Sequence, residues 1–151
     1  MRVSAKADYA IRALAEIASC NPQPVKAERV SQLQSIPTKF LENILVELKH
    51  ANIVHSQRGA EGGYWLARPA EEVSLADVIR AIDGPLANVR GVRPERVEYA
   101  GAAQSLKDVW IAVRANLRAV LEQVTIADLV EGKLPDAVME LTRDSDAWLS
   151  H

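Results

Sequence analysis

Cysteine is nearly absent: Cys20 is the only one in 151 residues. A single thiol excludes an internal disulfide and any metal site built of cysteines alone. Aromatic residues make up only 5% of the chain, with one phenylalanine, so the core must rest on aliphatic side chains and alanine. No apolar run approaches the roughly 20 residues that cross a bilayer. The basic N-terminus lacks the apolar stretch of a secretory signal, and the expectation is a soluble, cytoplasmic protein. Histidines stand only at positions 50, 55 and 151. Without a nucleophile–base pair, a carboxylate dyad or a metal-ligand cluster, an enzyme is the least favoured class. Repeats, low-complexity tracts and the P-loop signature are missing too.

What is present is ordinary in amount and uneven in placement. A hydrophobic content of 48% suits one compact domain, or one domain plus an extension. The net charge of −2 hides an asymmetry. Residues 1–68 hold nine Lys/Arg against six Asp/Glu, and residues 69–151 hold nine against fourteen. An anion-binding first half, suited to nucleic acid, follows from that balance.

Periodicity divides the chain into helices. "SAKADYAIRALAEIAS" has Ser4 as N-cap and an apolar stripe of Ala7, Ala10, Ile11, Leu14, Ile17 and Ala18. Asn21 to Pro24 ends it, since two prolines cannot continue a helix. "VKAERVSQLQS" predicts a short second helix with Ala27, Val30 and Leu33 inward, followed by a turn at Gln34-Ser35-Ile36. "PTKFLENILVELKHA" predicts a third, with Leu41, Ile44, Leu45 and Leu48 on one face and Lys39, Asn43, Val46 and His50 on the other. Two strand-like runs, Ile53 to Gln57 and Tyr64 to Ala67, then flank a glycine-rich tip, Arg58 to Gly63. "SLADVIRAIDG" predicts a fourth helix, with a capping-box-like pair in Ser74 and Asp77 and Gly84 as its stop. Residues 85–104 show no sustained period. "SLKDVWIAVRANLRAVLEQV" carries a heptad seam of Leu106, Trp110, Val113, Leu117, Val120 and Val124, widened by Val109 and Leu121. Thr125 and Asp128 cap a short helix, Ile126 to Val130, and the tail from Lys133 reads as peripheral and partly mobile.

Short helix, tight turn, amphipathic helix, glycine-tipped hairpin: this order is that of a winged helix-turn-helix. The third helix buries one face and offers the other to base edges in the major groove. Lys39 reaches phosphate or guanine, Asn43 pairs with adenine, Val46 touches a thymine methyl and Glu42 accepts from cytosine. Arg58 supplies a cation for a narrow minor groove, and glycine lets thin backbone approach phosphate. Taken singly, a polar helix face is as a rule only solvated, and a Gly-Gly hairpin as a rule only a turn. The ordered combination points to DNA.

The blocks "MRVSAKADYAIRALAEIA", "IPTKFLENILVELKHANIVHSQRGAEGGYWLARP" and "VSLADVIRAIDG" resemble the signature blocks of the Rrf2 winged-helix transcriptional regulators. That family includes the iron–sulfur-cluster regulator, the nitric-oxide-sensing repressor and the cysteine-metabolism repressor. The resemblance runs over roughly residues 1–131, because the heptad seam agrees in position with the family's dimerisation helix. It implies a mainly α fold with a small β-hairpin wing and a long dimerisation helix. It also implies a DNA-binding homodimer on a near-palindromic operator, with repression as the expected sign. By that resemblance the recognition helix is Pro37 to His50, base contacts fall on Lys39, Glu42 and Asn43, and the wing tip is Arg58 and Gly59. The full expected DNA-binding set is Arg2, Ser4, Lys6, Thr38, Lys39, Glu42, Asn43, Arg58, Gly59 and Gly62. The expected division is a winged unit at 1–84, a sensor-loop region at 85–104, the dimerisation helix with its short successor at 105–131, and a tail at 132–151.

The sequence also departs from the family. Many members hold an iron–sulfur cluster on three cysteines between the fourth helix and the dimerisation helix, an interval with none here. Arg12 follows Asp8 by one turn, where members with acidic and histidine ligands need a donor. No cluster, metal or other cofactor is therefore expected. Cys20, at a helix C-terminus with no cation close in sequence, reads as an ordinary thiol rather than a redox sensor. Arg90, Arg93 and Arg96 offer a site for an anionic metabolite or a protein, or a solvated surface pairing with Glu95 and Glu98; Trp110 reads as a dimer-core residue. The competing function is a protein–protein module in which the third helix and wing grip a partner, a cysteine-synthase-type enzyme by resemblance.

Overall fold

The computed structural model describes residues 2–150. Its first helix, α1 (Ala5–Ser19), is capped by Ser4, whose hydroxyl accepts from the Ala7 amide at 2.9 Å. Ala7, Ala10 and Ala13 have no exposed surface. Their small side chains let neighbouring backbones come close, and α1 packs against α2 (Ala27–Gln34), α3 (Thr38–His50), α4 (Leu75–Asp83) and α6 (Ile126–Glu131). Leu14 and Ile17 join Leu41, Ile44, Leu45 and Leu48 of α3 in one aliphatic core. Each such side chain contributes about 2 kcal/mol on leaving water.

The α2–α3 turn is set by Ser35 in the left-handed region (φ 54°). Ser31, buried on α2, donates to the Ile36 carbonyl, so its hydroxyl oxygen accepts from Thr38 Oγ1 at 2.8 Å. Ser31 thereby holds the inward position expected for Leu33, which is 56% exposed. Two turns of helix have room for only one buried stripe, and the turn's hydrogen bonds decide which.

Strands β1 (Val54–Gln57) and β2 (Gly63–Leu66) pair antiparallel, Val54 opposite Leu66 and Gln57 opposite Gly63. A third backbone segment closes the sheet: Val25 and Tyr64 exchange amide–carbonyl bonds of 2.9 and 2.8 Å. Gly63 (φ 150°) lies against it, and a Cβ there would stand 2.7 Å from the Val25 carbonyl oxygen.

Helix α4 has the capping box expected of Ser74 and Asp77, and Gly84 (φ 83°) ends it. Residues 85–104 contain two short 3-10 turns, at Pro94–Arg96 and Gly101–Ala103, and a tight turn closed by Val89 and Val92. Helix α5 (Leu106–Leu121) stops three residues short of Val124. Val124 lies in the chain's own interior, its carbonyl accepting from the Leu75 amide at 2.9 Å. It thus continues the core, not the seam. Thr125 and Asp128 form the second capping box, at the head of α6. The tail holds more structure than its composition suggests: α7 (Asp136–Leu141) and a 3-10 turn, Ser145–Trp148.

No residue of α5 is buried within the chain. Trp110 turns toward its own chain, its indole N–H donating to the Tyr99 hydroxyl at 2.9 Å. Trp110 and Val113 also face Ala87 and Pro94 across a niche of about 230 Å³. At about 100° per residue, the opposite side carries Val109, Ala112, Asn116 and Ala119, all exposed, with half-buried Val113 and Val120 beside them.

Gly63→Ala is expected to destabilise the fold by about 2 kcal/mol or more, through a forced clash with the Val25 carbonyl and an unfavourable φ. Equilibrium urea unfolding checks this, with Gly59→Ala, which meets no atom within 4 Å, as the milder control.

Candidate nucleic-acid interface

The inner face of α3 fixes the outer one. Leu41, Ile44, Leu45 and Leu48 are wholly buried, which turns Lys39, Glu42, Asn43, Val46 and His50 to solvent. Lys39, Glu42 and Asn43 make no hydrogen bond or ion pair among the described residues, so their polar groups are free for an outside ligand. Val46 is 48% exposed in the middle of this face.

The wing stands beside the C-terminal half of α3. Lys49 donates to Ser56 Oγ at 2.8 Å, tying helix to hairpin. Val46, Lys49, Ser56, Gln57 and Arg58 line a groove of about 240 Å³ between them. Arg58 is exposed and has no partner among the described residues. The three wing glycines do different things. Gly59 (φ 103°) has open space around it. Gly62 is buried: its amide donates to the Gly59 carbonyl at 3.1 Å, and a Cβ would fall 2.1 Å from the Gln57 oxygen. Gly62 therefore serves the hairpin's own closure and Gly63 the approach of the Val25 segment, and Gly59 alone offers thin backbone to an outside group. Lys26 donates to the Gly59 carbonyl and holds the tip from the loop before α2. Neither Lys26 nor Lys49 stood out in the sequence, because each acts through a contact across the fold.

Of the other expected site residues, Ser4, Lys6 and Thr38 are engaged inside the chain. Ser4, besides capping α1, donates to Asp83 Oδ1 at 2.8 Å. Lys6 pairs with Glu47 at 2.6 Å and cancels an acid at the edge of the α3 face. Thr38 spends its hydroxyl on Ser31. Arg2 is exposed. Cys20 is half-buried with Ser19 Oγ 3.8 Å from its sulfur.

A polar helix face, a groove and an arginine-tipped wing on one scaffold match the geometry by which a helix enters the major groove while a flanking element reaches the backbone. The sequence model of Rrf2, described as an iron-dependent transcriptional regulator, matches residues 3–132. The chain belongs to the Rrf2 family. Rv1287 of Mycobacterium tuberculosis, which carries the name of an HTH-type transcriptional regulator, is 48% identical over 145 residues, covering 95% of this chain and 90% of its own. Among solved structures, CymR, the global cysteine regulator of B. subtilis, superposes with a TM-score of 0.74 at 28% identity, covering 88% of this chain and 98% of that one. The T. potens IscR structure superposes with a TM-score of 0.68 at 26% identity, covering 100% of this chain and 93% of that one. This Rrf2 protein is thus a DNA-binding transcriptional regulator of the helix-turn-helix type, and its relatives are not enzymes.

The family's description as iron-dependent calls for a test of the donor set. Residues 85–104 hold no thiol and no imidazole. Their two carboxylates are taken: Glu95 pairs with Arg114, and Glu98 with Lys107 at 3.1 Å. Asp8 is held by Arg12 at 3.1 Å, and that guanidinium also binds Gln34. Among the described residues no group of three or more His, Cys, Asp or Glu is placed to hold a metal ion. These residues do not fit an iron–sulfur cluster.

Lys26→Met is expected to speed amide exchange at residues 59–62 severalfold while shifting global stability by no more than about 0.5 kcal/mol, as befits an exposed contact. Hydrogen exchange with mass-spectrometric readout measures the first, and urea unfolding the second.

Proposed function

We infer that this Rrf2 protein is a repressor that binds a near-palindromic operator as a homodimer in the cytoplasm. The observation that carries the reading is the split of α3: a wholly buried aliphatic face opposite unpaired Lys39, Glu42 and Asn43. In a major groove Lys39 engages phosphate or a guanine edge and Asn43 an adenine, while Glu42 accepts from cytosine and repels phosphate. Arg58, next to the open backbone of Gly59, enters the adjacent minor groove or grips phosphate. Of the wider expected set, Arg2 adds a free cation. Lys6, Ser4, Thr38 and Gly62 act by positioning these elements, since their polar groups or their space are already committed.

Dimerisation is supported by α5, sixteen residues of helix with no buried side chain. An apolar helix face left open to water is removed from it by a second copy. Val109, Val113 and Val120, with small Ala112 and Ala119, form the strip open to a partner, bordered by Leu106 and Leu117. Trp110 supports the strip from behind through Tyr99. A two-fold pair would set two α3 helices against successive major grooves, which is why the operator is expected to be near-palindromic. Occupancy of such a site by a small compact dimer blocks access to a promoter, hence repression.

Arg58→Ala is expected to weaken operator binding by about 1–3 kcal/mol, measured by gel shift or anisotropy with the DNA upstream of the protein's own gene. Wild-type affinity should fall steeply with salt. Mutant and wild type of equal affinity would remove the wing from the mechanism, and a wild type without salt-dependent DNA binding would favour the protein–protein module. Val109→Asp with Val113→Asp is expected to convert the dimer to monomer in analytical ultracentrifugation; an unchanged sedimentation coefficient would move the interface off α5.

A further inference from the structure

Between the end of α4 and the middle of α5 lies a cleft of about 500 Å³ lined by Arg80, Arg93, Arg114 and Arg118, with Glu95, Pro85 and Leu86. We propose that this cleft is an effector site for a small organic dianion, a molecule carrying two oxyanion charges as carboxylates or as a phosphate ester. Of the three arginines that the 85–104 segment offered in sequence, only Arg93 reaches it. Arg90 sits at φ 54° on the tight turn closed by Val89 and Val92, and neither it nor Arg96 lines the cleft. The remaining cations come from two helices, far away in sequence.

Charge accounting gives the ligand its sign. Glu122 pairs with both Arg80 and Arg118, the latter at 2.9 Å, and Glu95 pairs with Arg114. Arg118, and after it Arg80, hold the Glu122 carboxyl below the usual carboxylate range. Glu95 is likewise lowered, first by a hydrogen bond that its carboxylate accepts from its own backbone amide and then by Arg114. Both acids are ionised at neutral pH. Four guanidinium groups against two carboxylates leave an excess of two positive charges. The carbonyl end of α4 offsets about half a unit of it, and Asp77, 3.9 Å from Arg80 and outside the cleft, draws on Arg80 as well. Arg93 has no ion-pair partner among the described residues; Glu95 acts on it only through space.

Donors remain as well as charge. A guanidinium carries five N–H groups in a planar fork suited to an oxyanion, and the carboxylates here occupy one on each of Arg80, Arg114 and Arg118 and none on Arg93. The volume falls in the range of small-molecule sites, and Pro85 and Leu86 give an apolar wall for a carbon backbone. A bound dianion would bridge Arg80 on α4, which packs on α1 and α3, to Arg114 and Arg118 on α5. It would change how α5 is set against the α3-bearing core, and so the spacing of two α3 helices in a dimer. That regulatory consequence rests on the operator-binding reading above; the binding itself does not.

Isothermal titration of the full chain at about 0.15 M salt (a physiological ionic strength) with succinate, glycerol 3-phosphate and acetate tests the site. One of the two dianions should saturate a single site per chain and raise the melting temperature, and acetate should do neither. Success with succinate identifies a dicarboxylate ligand, and success with the ester a phosphorylated one. Arg93→Gln, which breaks no ion pair, and Arg114→Gln should each weaken that binding at least tenfold. Neither heat nor a melting shift from either dianion, or equal affinity in wild type and Arg93→Gln, would overturn the proposal. Saturation with the dianion should shift operator affinity severalfold, and an unshifted affinity would sink the regulatory half. Arg58→Ala should lose DNA affinity and keep the dianion titration intact, so that a failure of the operator reading stays distinct from a failure of the cleft.

Discussion

The burial of Leu41, Ile44, Leu45 and Leu48 against Leu14 and Ile17 is the constraint on which the rest of the molecule depends. Four side chains on one face of a thirteen-residue helix fix its rotation, because turning it by one position would expose two or more of them. The loss would be about 2 kcal/mol for each, a large share of the stability of a small domain. The polar face is therefore aimed by packing that lies entirely behind it. The small α1 residues Ala7, Ala10 and Ala13 let that packing be close, and the Ser31–Thr38 hydroxyl pair fixes where α3 begins.

Besides the Arg80–Glu122 pair between α4 and the end of α5, two sets of contacts hold the second half of the chain. Beyond α5, Val124 and Thr125 run beside α4, with the Leu75 amide bonded to the Val124 carbonyl and the Ile126 amide to the Val73 carbonyl, each at 2.9 Å. Ile126 is then buried in the same core as α3. At the other end, the 85–104 segment reaches α5 through Trp110–Tyr99 and the pairs Glu95–Arg114 and Glu98–Lys107. The first attachment is backbone pairing plus core burial. The second is polar and largely exposed, where solvent screens the ion pairs and leaves them weak. The angle of α5 is thus held firmly at its C-terminal end and softly along its middle, beside the arginine-lined cleft.

Sequence reading captured what local chemistry determines. Both capping boxes, Ser74–Asp77 and Thr125–Asp128, are present, and so are the α3 face and the Gly59-to-Gly63 hairpin. It went astray where tertiary contacts choose among equivalent local options. Leu33 and Ser31 compete for one inward position on a two-turn helix, and the Ile36 and Thr38 hydrogen bonds favour the serine. The heptad stripe of α5 marks an apolar face correctly, but part of that stripe, Trp110 above all, is claimed by the chain's own loop, which turns the open strip toward Val109 and Ala112. Val124 matches the heptad spacing yet lies beyond the helix. Lys26 had no signal in the sequence and the arginine cleft only that of Arg93, since the partners are 33 residues away for Lys26 and Gly59 and 42 for Arg80 and Glu122.

The charge distribution bears on how a chain with a net charge of −2 approaches a polyanion. The acidic excess belongs to residues 69–151, whereas Lys26, Lys39, Lys49 and Arg58 cluster about α3 and the wing. Lys6 removes Glu47 from the balance, and Glu42 is left as an unpaired acid on the reading face. At physiological salt, charges more than about 8 Å apart are largely screened, so a phosphate near Arg58 responds to the cations around it and hardly to the acidic second half. At about 0.01 M salt the screening length grows to about 30 Å and the whole chain's negative charge is felt. Repulsion then tempers non-specific binding most under the conditions that otherwise favour it most. In the reading proposed above, discrimination between operator and bulk DNA rests on a few short-range contacts: Asn43 and Lys39 to gain energy on the right bases, and Glu42 to lose it on the wrong ones.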